Sequence, residues 1–209
     1  MSASPAPLKV GAVLFDGFEL LDVFGPLEMF GMLEGRATLL MLAQTPGNVR
    51  SNQGPSCVAE APLAGDHGLD VLLVPGGMGT RREIANEPFL AELGRQAGAA
   101  RLVASVCTGS ILLASAGLLD GRRATTNKRA FRFAAARWPR VTWVAQARWV
   151  EDGKFLTSSG VSAGMDMSLG LIAKLLDWDA SIEAANRAEY EWHQDKTWDP
   201  FARLNGLIE

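Results

Sequence analysis

Near-continuous apolar runs alternate along the chain with longer segments whose apolar residues recur every three to four positions. Lys9–Phe15 (KVGAVLF), Ala37–Ala43, Asp70–Pro75 (DVLLVP) and Leu102–Ser105 are runs of the first kind, and they predict strands buried on both faces. Helical segments follow most of them. Leu20–Val23 reads as a short turn into a helix opened by Pro26, because proline lacks the N–H that a helix interior uses. Glu83–Gly98, Ser110–Ala114, Phe131–Trp138 (stopped by Pro139), Ser162–Leu176 and Asp177–Tyr190 read as further helices. Val49–Ser51 with Ser56–Glu60 predicts a small hairpin that holds Cys57 as a structural residue. Arg123–Thr125, Val141–Ala145, Ala147–Val150 and Phe155–Ser158 predict short strands, with Asp152-Gly153 turning between the last two. Strands alternating with helices predict an α/β fold with a mostly parallel sheet and helices on both faces.

The chain has 209 residues, 48% hydrophobic and 21% charged, which suits one moderately sized domain over residues 8–209 behind a disordered leader, Met1–Pro7. A net charge of −3 gives no basic footprint, so neither nucleic acid nor an anionic membrane is an expected partner. No apolar run has the length of a membrane span, and the start lacks the pattern of a signal peptide, so the default location is cytoplasmic. Two cysteines and two histidines (His67, His193) without metal-type spacing point to neither a disulfide framework nor a metal site, and no cofactor motif is present.

Candidate chemistry centres on Leu102–Leu113 (LVASVCTGSILL), where a strand turns directly into a helix with Cys107 at the corner. Such an elbow strains the backbone, exposes the side chain and sets it beside the free N–H groups of the helix start. A cysteine there is expected to ionise more easily than a free one. Taken alone, the pattern fits equally a small buried residue filling the corner. Asp22, in an apolar setting, reads either as a helix cap or as an acid needing a partner. Gly76-Gly77, just past a strand, reads either as a tight turn or as a loop whose N–H groups face a ligand. In parallel sheets the site lies beyond the carboxyl ends of the strands. Asp22, Gly76-Gly77, Cys107 and Thr126-Asn127 each follow a strand, so all gather on that edge, which favours the functional readings.

Four stretches, Leu20–Phe30 (LLDVFGPLEMF), Asp70–Thr80 (DVLLVPGGMGT), Val103–Lys128 and Leu156–Ile172 (LTSSGVSAGMDMSLGLI), resemble the ThiJ/PfpI superfamily in that family's order. The resemblance implies a flavodoxin-like three-layer sandwich and a homodimer. It is strongest to the isocyanide hydratase-like branch, and implies Cys107 as nucleophile, Asp22 as acidic neighbour of its sulfur and Thr108 as a nearby hydroxyl and amide donor. It also implies Gly77, with Gly76, as a backbone N–H donor toward the reacting atom. The implied reaction is attack of a Cys107 thiolate on a small electrophile of the isocyanide type, with Asp22 moving the proton and activating water. The same stretches resemble the sensing half of AraC-type regulators, whose helix-turn-helix portion would follow the domain; with the chain ending at Glu209, that half is expected to be absent. Many family members carry histidine where this chain has Asn127, which accepts no proton at neutral pH. Protease, deglycase and glyoxal- or aldehyde-handling readings lose ground accordingly, while a redox- or ligand-sensing domain without turnover stays open. Tyr190–Trp198, with His193 and its tryptophans, departs from the hydratases and reads as a packed terminal arm rather than a pocket rim or dimer seam. Met78, Phe18 and Trp149 are the side chains expected to shape a pocket.

Overall fold

The computed structural model describes residues 6–209, so the leader expected over Met1–Pro7 falls largely outside the described residues. In order the chain forms β1 (Leu8–Val13), α1 (Leu20–Gly31), β2 (Ala37–Ala43), β3 (Gly47–Arg50), β4 (Ser56–Ala59), β5 (Ala61–Pro62), β6 (Val71–Val74), α2 (Thr80–Glu83) and α3 (Glu87–Ala99). It continues through β7 (Leu102–Ser105), α4 (Gly109–Ser115), β8 (Arg123–Ala124), α5 (Phe131–Arg137) and β9 (Thr142–Trp143). The last elements are β10 (Trp149–Asp152), β11 (Phe155–Ser158), α6 (Ala163–Leu175), α7 (Trp178–Arg187) and α8 (Pro200–Leu204).

Seven strands form the main sheet in the order β10-β11-β7-β6-β1-β2-β5, parallel throughout except for β10, which pairs antiparallel with β11 at the edge. β3 with β4, and β8 with β9, form separate two-stranded pairs. Every residue of β6, β7 and β11 is buried, as their unbroken apolar character requires of strands covered on both faces. From β1 the chain first moves outward to β2, then returns to lay β6 on the other side of β1. Right-handed crossovers running in opposite directions put α1 and α3 on opposite faces of the sheet. α1, α6 and α7 pack together, as do α2, α3 and α4. The direction reverses between β1 and β6, and beyond their carboxyl ends lies the crevice where sheets of this order place ligands.

Three expectations need correction. α1 begins at Leu20 and holds Pro26 inside it, so Asp22 lies in the first turn rather than capping a later helix. Close packing outweighs the helix preference here: a Cβ on Gly25 would sit 2.8 Å from Met165 Cγ, and one on Gly164 would sit 3.3 Å from Pro26 Cγ. The single helix expected over Glu83–Gly98 is two, because Asn86 caps α3 by accepting the Phe89 N–H, with Pro88 seated in its first turn. α8 was not expected; Asp199, fully buried, caps it through the Phe201 N–H.

Candidate active site

Three residues separate the end of β7 from the start of α4, and Cys107 is the middle one. Its φ of 56° lies in the left-handed region, which a side chain with a Cβ rarely adopts. Neighbouring groups hold it there. The Val106 N–H donates to the Val74 carbonyl at 3.0 Å, and the Cys107 N–H to the Ser159 carbonyl at 2.9 Å. The Cys107 carbonyl accepts from the hydroxyls of Thr126 (3.0 Å) and Ser110 (3.1 Å). β6, β11 and the loop after β8 thus hold the strained elbow from three sides.

α1 delivers Asp22 to the same crevice with no exposed surface. Its Oδ2 accepts the Gly76 N–H at 2.8 Å, whereas Oδ1 is buried without a hydrogen-bond partner. Burial raises this carboxyl to about 7; the Gly76 N–H opposes the rise, the Glu19 charge adds to it, and the nearby Cys107 thiol opposes it slightly. Burial likewise pushes the Cys107 thiol up to about 12, with the Asp22 charge acting in the same direction. The Thr108 N–H, the Asn127 side chain and the Val161 N–H pull it down. The expectation of an easily ionised thiol is therefore corrected, because loss of water on burial outweighs the donors at the start of a seven-residue helix.

The glycine loop is used differently from expectation. The Gly76 N–H serves Asp22, and the Gly77 N–H donates to the Thr108 hydroxyl at 3.1 Å, so neither points into open space. A Cβ on Gly76 would lie 2.5 Å from the Thr108 amide nitrogen, which is why this loop can approach the elbow only as glycine. The Thr108 hydroxyl also contacts that of Thr80 at 3.3 Å and is turned toward the loop, leaving its amide for the sulfur. Asn127 Oδ1 accepts the Arg129 N–H at 2.9 Å, which leaves its amide N–H groups to face Cys107. The structure thus brings Asp22, Gly76, Gly77, Cys107, Thr108 and Asn127 into one site.

Cys107 opens on a cleft of about 490 Å³ whose walls include Glu19, Met78, Arg81, Asn127, Arg129 and Val161. Of the expected pocket residues, Met78 lines it, whereas Phe18 is fully buried in the core and Trp149 packs against Gly170. Val161 went unnoticed in the sequence. It is a β-branched residue at φ 44°, and that conformation aims its N–H at the sulfur. Neither histidine lines the cleft. His67 contacts the Pro62 carbonyl at 2.8 Å, and the terminal arm that carries His193 folds onto buried Asp166. Among the described residues no cluster of His, Cys, Asp or Glu could hold a metal.

The chain is 33% identical over 191 residues to the isonitrile hydratase of Pseudomonas putida, a match spanning 88% of this chain and 78% of that one. It is 32% identical over 173 residues to the HTH-type transcriptional regulator GbdR of Pseudomonas aeruginosa (strain UCBPP-PA14). That match covers 80% of this chain and 47% of the regulator, so it spans about half of the regulator's length. The crystal structure of a ThiJ/PfpI family protein from Pseudomonas syringae superposes with a TM-score of 0.81 at 31% identity, covering 91% of this chain and 79% of that one. The model of the DJ-1/PfpI family matches residues 8–174, from the first strand through nearly all of α6. With the elbow cysteine, the buried acid and the flavodoxin-like strand order all inside that span, the chain belongs to the DJ-1/PfpI family.

Proposed function

We propose that the chain is a cysteine-dependent enzyme that hydrates small electrophiles of the isocyanide type to N-substituted formamides. The observation that carries this reading is the fully buried Asp22 carboxyl within hydrogen-bond reach of the thiol of a strained Cys107 that lines the cleft. A buried acid whose ionisation is held near neutrality beside a thiol is suited to move that thiol's proton. The similarity to an isonitrile hydratase over most of both chains supplies the reaction class.

In this mechanism the pair enters the cycle with one proton between them. As the sulfur attacks the terminal carbon of R–N≡C, Asp22 takes the thiol proton and passes it to that carbon, giving the thioimidate R–N=CH–S. Asp22, again a carboxylate, then takes a proton from water. The hydroxide adds to the same carbon, Asp22 returns the proton to nitrogen, and as the C–S bond breaks Asp22 takes the hydroxyl proton, so R–NH–CHO leaves and the pair again holds one proton. The Thr108, Val161 and Asn127 donors stabilise negative charge on sulfur as it forms and departs. Below about pH 7 both groups are protonated, so kcat/KM should rise with pH through that value.

Formamide formation by wild type, Cys107→Ala and Asp22→Asn tests the reading. Cys107→Ala should abolish turnover, and Asp22→Asn should lower kcat by about 10²–10⁴. The second variant should also alkylate faster at neutral pH, because the like charge that raises the thiol is gone. Full activity in Cys107→Ala would end the proposal.

The 32% identity to a transcriptional regulator favours a second reading, a ligand- or redox-sensing domain. A stable single oxidation at Cys107 on peroxide treatment, with every isocyanide left unhydrated, selects it.

A further inference from the structure

The cleft is more positive than the molecule that carries it. The chain bears a net charge of −3, yet Arg81 and Arg129 both line the walls around Cys107. Neither guanidinium has an ion-pair partner among the described residues, so both charges are free to meet a ligand. The carboxylate on the same wall, Glu19, is already engaged by the Gln53 side-chain amide. With one proton shared by Asp22 and Cys107 below it, the cleft sets the two guanidinium groups of Arg81 and Arg129 at its walls against the charges of Glu19 and of that pair, a local balance in a chain that is otherwise acidic.

Placement adds to charge. The Arg81 guanidinium carbon lies 5.0 Å from the Phe133 ring centroid, so a cation–π contact limits the side chain's freedom before any ligand arrives. The main-chain N–H of Arg129 donates to Asn127 Oδ1 at 2.9 Å, which fixes its backbone at the cleft while its side chain is exposed. Its side chain therefore springs from beside the group that faces the sulfur. Planar guanidinium forks match carboxylates, and pre-positioned ones lose little freedom on binding.

We infer that the cleft selects a small carboxylate-bearing electrophile, held by Arg81 and Arg129 while its reacting carbon rests on Cys107. The hydratase reading enters only in naming the reacting group as an isocyanide; the anion preference stands on the cleft itself.

Two measurements keep the two ideas apart. In calorimetry, N-formylglycine, an anionic product-type ligand, is compared with neutral N-methylformamide on wild type, Arg81→Gln, Arg129→Gln and the charge control Arg101→Gln. Arg101 is exposed at the opposite end of β7. Wild type should bind the anion at least about tenfold more tightly, each cleft variant should erase most of that ratio, and Arg101→Gln should retain it. Raising ionic strength should shrink the ratio as well. Equal binding of both ligands, no binding of the anion, or the same loss in Arg101→Gln overturns the inference. Turnover of isocyanoacetate against methyl isocyanide is then followed. Anion-selective binding without turnover of either isocyanide keeps the inference and removes the hydratase reading. Turnover of both at equal kcat/KM keeps the reading and removes the inference.

Discussion

Asp22 is ionised near pH 3.8 in an unfolded chain but only near 7 in its buried place. Between those values the native state keeps a proton that the unfolded state has released, so folding stability falls as pH rises through the window. The difference corresponds to roughly 4 kcal/mol. Asp22→Asn, which keeps the shape and removes the charge, should therefore raise Tm at about pH 8 and leave it nearly unchanged at about pH 4. Thermal melts at the two pH values decide it, and an unaltered Tm at the higher one would sink the argument. Cys107 and Asp22 were legible because each follows a strand on the ligand-bearing edge. The jobs of Gly76 and Gly77 were not, since which acceptor an N–H finds depends on Asp22 and Thr108 arriving from other elements. Val161 left no trace either, because a β-branched residue is the last choice for a left-handed turn and only the surrounding fold imposes one.

α6 supports the elbow from beneath through Gly164. A Cβ there would meet both γ-carbons of Val106 at 2.8 Å, and Val106 is stiff and directly precedes Cys107. Gly164→Ala should cost about 1–3 kcal/mol by overpacking and displace the sulfur, visible as a lower denaturation midpoint together with slower thiol alkylation. A stable variant with wild-type alkylation would show that Val106 can yield. The strands were read well because β6, β7 and β11 are apolar on both faces, a pattern with few other interpretations. The helix starts were read less well. Pro26 suggested an opening, but the packing of Gly25 and Gly164 between α1 and α6 decided otherwise, and that contact joins residues far apart in sequence.

Across the whole molecule, one buried carboxylate ties the last segment to the sheet. Asp166 receives Arg148 Nε at 2.7 Å, the Tyr190 hydroxyl at 3.0 Å and the His193 N–H at 2.8 Å, while its carbonyl accepts the Trp192 indole N–H at 3.1 Å. The Arg148 N–H in turn holds the Lys196 carbonyl at 2.9 Å. Tyr190–Trp198 is thus tied down by hydrogen bonds rather than packed as expected: only Tyr190 and Trp192 are half-buried, and the His193 side chain is exposed. Asp166→Ala leaves the Arg148 charge buried and unmatched, a loss of about 3–5 kcal/mol. Limited proteolysis should cut first within the arm, and an unchanged cleavage pattern and denaturation midpoint would refute the linkage. The sequence showed the aromatic arm but not its anchor, since nothing local marks Asp166 as the meeting point.

The bond from the Cys107 amide to Ser159 also has a consequence in time. Ser159 and Val161 are made roughly fifty residues after the cysteine they restrain, so at ~5–20 residues per second the elbow waits several seconds for them during synthesis. Over that interval the newborn chain carries an unrestrained sulfur, with the ordinary thiol chemistry of a flexible peptide. Only when β11 docks beside β7 is that sulfur sealed into its hollow. An oxidant met at the ribosome and one met afterwards therefore encounter two chemically different cysteines at the same position.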